Sequence, residues 1–431
     1  MDTNVVKKQL GCGTTVVAES LPHSLTASVG FCINYGSRDE EERMFGAAHF
    51  IEHMLFKGTA EKNALDLALD IEAVGGAVGA GTSKELTRCY AHVLPEHIPQ
   101  AVSILTDVFC RSVFPEEEFD REKGVILEEI KLYQDTPEEY VRVLFLEDLY
   151  GRGGLGHEIL GYEDAIREVD CVELSELYRN RYIPSNIVVT AAGNFDGYDI
   201  SRLIEESLGP LNGARRHPIE HAASAPNFTH GINLHAKDTG QVHFDMGFPG
   251  ISKMSPDRYA YVLLSMVLGG GISSRLFQEV REKRGLVYEI DADNTTFSDS
   301  GFFAVSAGTR PENLPEVLSL VAAELRKCRE GDIRQEELDR VKNICRIGMA
   351  MDFESVTSRM SFIADSEIFF GRHRTFTEIF DQIMAVSLDD LARISGDIFK
   401  DEKVVFTALG PFKKRSLKST ENKIADILRT I

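Results

Sequence analysis

The 431-residue sequence has no stretch approaching the ~18 uninterrupted apolar residues of a membrane-spanning helix, so no membrane insertion is expected. Positive charge is also scarce: 47 Lys+Arg stand against 68 Asp+Glu, a formal net charge of −21. That balance argues against nucleic acid as the main partner, because duplex binding draws on Lys and Arg to neutralise phosphates. It favours small, neutral or cationic ligands. The N-terminal run Met1-Asp2-Thr3-Asn4-Val5-Val6-Lys7-Lys8 lacks a basic segment leading into an apolar one, and lacks the Arg/Ser-rich, acid-poor character of a transit peptide. Cys12, Cys32, Cys89, Cys110, Cys171, Cys328 and Cys345 are odd in number and never form a C-x-x-C pair. Reduced thiols and a cytoplasmic address follow as expectations. What is present, 43% hydrophobic and 27% charged residues, suits a globular chain of two domains or more.

Those domains read as copies of each other. Pro95-Glu96-His97-Ile98-Pro99 and Pro311-Glu312-Asn313-Leu314-Pro315 each open an amphipathic helical stretch, 99–112 and 315–330, at an offset of 311 − 95 = 216. An acidic helix start follows in each half, Glu117-Glu118-Phe119-Asp120-Arg121 and Glu336-Glu337-Leu338-Asp339-Arg340, at 336 − 117 = 219. Upstream, the strand-like Ala27-Ser28-Val29-Gly30-Phe31 has a counterpart within Val242–Phe248. Three landmarks in one order, with an offset that drifts as loop insertions would make it drift, predict a duplicated α/β unit of ordinary domain size. The halves are expected at 1–212 and 231–431, joined by a linker at 213–230 that has no apolar periodicity and contains Pro218 and Pro226. Strand-like runs such as Gly13–Ala18, then helices, then more strands, predict an α+β fold with helices on one face of a mostly antiparallel sheet.

The strongest local signal is His49-Phe50-Ile51-Glu52-His53. On a helix, His49 and His53 project from one face, one turn apart, with Glu52 beside them. Two imidazoles can hold one zinc there, and the carboxylate reaches the metal's open position. The order H-x-x-E-H is the inverse of the commoner H-E-x-x-H zinc-protease motif. A second helix, from about Glu117 to Gln134, carries Glu122 and Glu129 seven residues apart on one stripe, while Glu128 points away. At an offset of 219 their counterparts are Val341 and Gly348, and at an offset of 261 − 49 = 212 the histidine helix corresponds to Tyr261–Ser265. The second half has lost both sets of candidate ligands together.

His49–Thr59, preceded by Gly36-Ser37-Arg38-Asp39-Glu40, resembles the signature of the pitrilysin, or inverzincin (M16), metallopeptidases. The whole chain is most similar to short bacterial members related to the β subunit of mitochondrial processing peptidase. The resemblance implies a clamshell-like pair of homologous domains with one zinc per chain. The family's third ligand lies about 76 residues after the second histidine, and 129 − 53 = 76 selects Glu129. A supporting glutamate seven residues earlier is Glu122, and Glu52 becomes the base that activates water.

The resemblance further implies an Arg and a Tyr seven residues apart that contact substrate, and 288 − 281 = 7 selects Arg281 and Tyr288. Read on their own, these are a residue of a charged helix and a strand residue. Leu268-Gly269-Gly270-Gly271, just before them, is not followed by the G-K-[ST] of a phosphate loop, and reads as a flexible or tightly packed turn. Gly79-Ala80-Gly81 falls in the family's substrate-pairing edge strand, with Gly79 where an Asn is usual. The implied function is a zinc metalloendopeptidase acting on unfolded or short peptides, with basic ones suited to the acidic charge balance, in a homodimer or a heteromer. The alternative is a catalytically silent scaffold or partner subunit of the same fold.

Overall fold

The computed structural model describes residues 4–209 and 228–431, so most of the expected linker, 213–227, lies outside the described residues. Strands β1 (Asn4–Gln9), β2 (Thr15–Ser20), β3 (Ala27–Ile33), β4 (Ala77–Thr82), β5 (Thr87–Val93) and β6 (Ile187–Gly193) form one sheet in the order β1-β2-β6-β3-β5-β4. Strands β7 (Gly231–Ala236), β8 (Val242–Pro249), β9 (Val287–Thr296), β10 (Gly301–Thr309) and β11 (Val405–Gly410) form a second, β7-β11-β8-β10-β9. Apart from β1, the two topologies coincide: one parallel pair, β2–β6 or β7–β11, continued by antiparallel strands. The amphipathic stretches expected near 99–112 and 315–330 are the helices Ile98–Cys110 and Leu314–Arg329. The architecture is a two-domain α+β fold with two mostly antiparallel sheets.

The compact units interleave in sequence. One comprises 1–131, 157–222 and 349–377; the other comprises 132–156, 223–348 and 378–431. Each sequence half keeps one sheet, yet gives a helix to the other half's unit.

In the first unit every residue of β3 is buried, a pattern without alternation that requires cover on both faces. Val29, Phe31 and Ile33 join a core with Phe50, Leu105 and Phe109. The other face takes the helix Val356–Phe370, which packs on β2, β3 and β6. A Cβ at Gly30 would lie 2.8 Å from the Met360 sulfur, and Ser28 Oγ meets Thr357 Oγ1 at 2.8 Å. Arg359 grips buried Glu19 with two nitrogens, at 2.8 and 2.9 Å.

In the second unit the helix Pro137–Tyr150 does the same for β8 and β11. Its Phe145 ring occupies the space that a Cβ on Gly247 would enter at 2.3 Å, and Arg142 Nε meets the buried Asp245 carboxylate at 3.0 Å. Neighbouring residues of β10 face opposite ways: Phe302 meets Phe145, and Phe303 meets Tyr261. Helices therefore cover both faces of each sheet, rather than one face. The reason is the exchanged helix, which no pattern within a single half reveals.

All seven cysteines are free. No helix of the described residues is long and apolar enough to cross a membrane.

Candidate metal centre

His49, Glu52 and His53 lie on the helix Ala47–Met54, and Glu122 and Glu129 on the helix Glu116–Asp135, both in the first unit. His49 and His53 stand with ring centroids 4.6 Å apart. Their Nε2 atoms lie 3.8 and 3.7 Å from one Glu129 oxygen. These separations are too long for hydrogen bonds. They are close to the spacing of about 3.4 Å expected between two donors that each sit about 2.1 Å from a tetrahedral zinc. His49, His53 and Glu129 are the one group of three or more His, Cys, Asp or Glu among the described residues whose donor atoms all lie within 4.8 Å of one another. Glu128, as expected, points to solvent and pairs with Lys131 at 2.6 Å.

Burial and then the neighbouring His53 hold the His49 imidazole down to about 3, so it is neutral and free to donate its lone pair. Glu122 takes the other side of His53, Oε2 to Nδ1 at 2.9 Å, while its Oε1 meets Lys57 Nζ at 2.7 Å. Burial alone would raise the Glu122 carboxyl, but the hydrogen bonds from Lys57 and His53 leave it below its ordinary value. An anionic Glu122 fixes the His53 tautomer and directs Nε2 towards Glu129. Glu122→Gln is expected to weaken zinc binding by about 10–100-fold, as read by competition with a chromogenic chelator.

Glu52 accepts a hydrogen bond from Thr82 Oγ1 at 2.6 Å. Thr82 ends β4, at the open edge of the first sheet. Burial raises the Glu52 pKa and the nearby Glu129 charge adds to this, against the Thr82 and His53 contributions. A carboxylate shifted in that direction is a better proton acceptor near neutrality. Gly79 and Gly81 lie on β4 with Ala80 between them. A Cβ on Gly79 would come to 3.0 Å from the Tyr90 side chain on β5, so a larger residue there requires that ring to shift by a few tenths of an ångström.

Arg281 and Tyr288 belong to the second unit, Arg281 on the π-helical turn Phe277–Glu282 and Tyr288 on β9. The Arg281 guanidinium lies 4.5 Å from the Phe277 ring centre and 5.1 Å from that of Tyr288, which is 79% exposed. Of the preceding glycines, Gly269 and Gly270 are closely packed, since added Cβ atoms would meet Ala292 N at 2.1 Å and Met266 Cα at 2.5 Å, whereas Gly271, at φ 135°, faces open space. Sequence reasoning assigned no role to Lys57 or Thr82. Lys57 lay inside the quoted motif, but Thr82 carries no local signal and depends on the packing of β4.

A family model described as "Insulinase (Peptidase family M16)" matches residues 15–163, and one described as "Peptidase M16 inactive domain" matches 172–345. A Streptomyces coelicolor protein named a zinc protease is 34% identical over 418 residues, covering 96% of this chain and 91% of its own. The chain belongs to peptidase family M16. Within it, the Bacillus subtilis zinc protease YmxG is 33% identical, covering 90% of this chain and 94% of its own. The M16 fold is shared with a solved Helicobacter pylori protease, at a TM-score of 0.87 and 23% identity over 95% of this chain and all of that one. A Pseudomonas fluorescens M16 inactive-domain structure gives 0.85 and 21%, over 95% and 98%. The inactive-domain match includes Val341, the counterpart of Glu122 at the offset of 219, on the helix Gln335–Asp352.

Proposed function

We propose that this M16 chain is a zinc endopeptidase that cleaves unfolded or short peptides, with a preference for basic ones. The convergence of His49, His53 and Glu129 with Glu52 beside them carries the reading. His49, His53 and Glu129 would hold a zinc ion, which would supply Lewis acidity, bringing the pKa of water towards about 7 and polarising a peptide carbonyl. Glu52 takes the proton of the attacking water and returns it to the leaving amine nitrogen. Thr82 holds the Glu52 carboxylate through its hydroxyl during that exchange. The open edge of β4, with Gly79, Ala80 and Gly81, pairs with the extended substrate backbone, so recognition tolerates varied sequences. Arg281 and Tyr288 contact the substrate.

In the same reading, residues 1–212 and 231–431 are the two copies of the duplicated sequence, joined through 213–230, each chain takes one zinc, and two chains form a homodimer. The free thiols fit the cytoplasm.

The test is hydrolysis of unstructured internally quenched peptides, with product masses to locate the cut. Internal cleavage is expected, faster for Lys/Arg-rich than for neutral peptides at low salt. Equal rates would remove the basic preference. Zinc binding without any cleavage would favour a catalytically silent subunit.

A further inference from the structure

The eight-residue helix carrying His49, Glu52 and His53 has no side-chain cap of its own. Its N-cap is Gly46, at φ 94°, where a Cβ would strike the Leu160 carbonyl oxygen at 2.5 Å. Two amides at its start, those of the N-cap Gly46 and of Ala48, are taken instead by Glu40, six and eight residues earlier. Gly46 N–H donates to Glu40 Oε2 at 2.7 Å, and Ala48 N–H to Oε1 at 2.6 Å. The Glu40 side chain has no solvent exposure, and neither has His157, whose Nε2 lies 3.0 Å from Glu40 Oε2. His157 is stacked on Phe45, centroids 3.9 Å apart, and its carbonyl accepts from the buried Lys84 ammonium. Lys84 follows Thr82 by two residues, and its own carbonyl accepts from Arg38 N–H at 2.9 Å. One buried network thus joins the start of the histidine helix to the end of the strand that holds Glu52.

A simple cap needs only a serine or aspartate at the N-cap position, exposed or not. Here a longer carboxyl group is fully buried, an arrangement that costs stability unless every acceptor is met. Its two oxygens meet two backbone donors, the N-cap Gly46 and Ala48, at the start of the helix that bears both proposed metal ligands and the base. We propose that Glu40 is a positioning residue for catalysis: locked by His157 and Lys84, it sets the orientation of the histidine helix, and through it the aim of His49, Glu52 and His53. This rests on the peptidase reading above.

Glu40→Gln is nearly isosteric, but places an amide NH2 against one of the two backbone donors, whichever way it turns. Turnover of a quenched peptide and zinc affinity are measured on the wild type, Glu40→Gln and Gly247→Ala. Gly247→Ala serves as a destabilised control, because its new Cβ crowds Phe145 in the other unit. Glu40→Gln should lower kcat on the order of tenfold or more with KM within about threefold, and should weaken zinc binding on the order of tenfold. The Gly247→Ala control, at a matched fraction folded, should shift neither. Wild-type kcat and zinc affinity in Glu40→Gln, or losses equal to those of the control, would overturn the proposal. If Glu40→Gln does not fold, His157→Asn, which removes the imidazole held against Glu40 together with its stacking on Phe45, is read by the same criteria. A wild-type enzyme that cleaves nothing refutes the peptidase reading instead, and zinc affinity alone then decides whether Glu40 positions the helix.

Discussion

Glu52→Gln is expected to lose essentially all turnover while its zinc stays bound. The Glu52 carboxylate is not one of the three clustered donors. It is held beside them by the Thr82 hydroxyl. An amide keeps the size of the side chain and still accepts from Thr82, so the fold and the donor set survive. It cannot accept a proton at any pH of interest. Positioned general acid–base groups contribute about 10²–10⁴ in rate, and kcat should fall by at least that much. Burial and the Glu129 charge both push the Glu52 pKa upward, so the acid limb of the wild-type rate profile should lie above that of an ordinary glutamate. Zinc content by atomic emission, with kcat from a quenched peptide, checks both parts. Substantial residual turnover would remove Glu52 from its role.

Glu129→Ala is expected to fail differently, losing zinc and turnover together. Two imidazoles remain, each about the right distance from an oxygen that is gone. If Glu129 is a direct ligand, as proposed, its loss should cost more than the about 10–100-fold typical of an outer partner, the role proposed for Glu122. The contrast is therefore ordered: Glu52→Gln keeps metal and loses rate, Glu122→Gln binds metal less tightly, and Glu129→Ala does not hold it at ordinary concentrations. Excess zinc should restore part of the activity of Glu122→Gln and little of that of Glu129→Ala. Zinc retained by Glu129→Ala at wild-type affinity would mean that a different residue completes the site.

Much of this was legible in the sequence because helices encode neighbours locally. His49 and His53 at i and i+4, and Glu122 and Glu129 at i and i+7, share faces by helical geometry alone, and the structure brings His49, His53 and Glu129 together. The duplication was legible because each half repeats its landmarks in order, and the sheets repeat their topology. What escaped was whatever depends on distant segments meeting. Thr82 reaches Glu52 only because β4 packs beside the histidine helix. Glu40 sat in a quoted motif, but its partner His157 lies 117 residues away. The exchanged helices Pro137–Tyr150 and Val356–Phe370 show little amphipathic contrast to indicate which sheet they cover. Their assignment rests on tertiary partners such as Glu19 for Arg359 and Asp245 for Arg142.

The most direct measurement follows zinc content and peptide cleavage in one preparation as a chelator is titrated in and zinc is then added back. One zinc per chain at the start, a rate that falls in proportion to the zinc removed, and recovery of both on re-addition are predicted. Cleavage that persists after the zinc is gone, or a fully zinc-loaded protein that cleaves no peptide, would contradict the account.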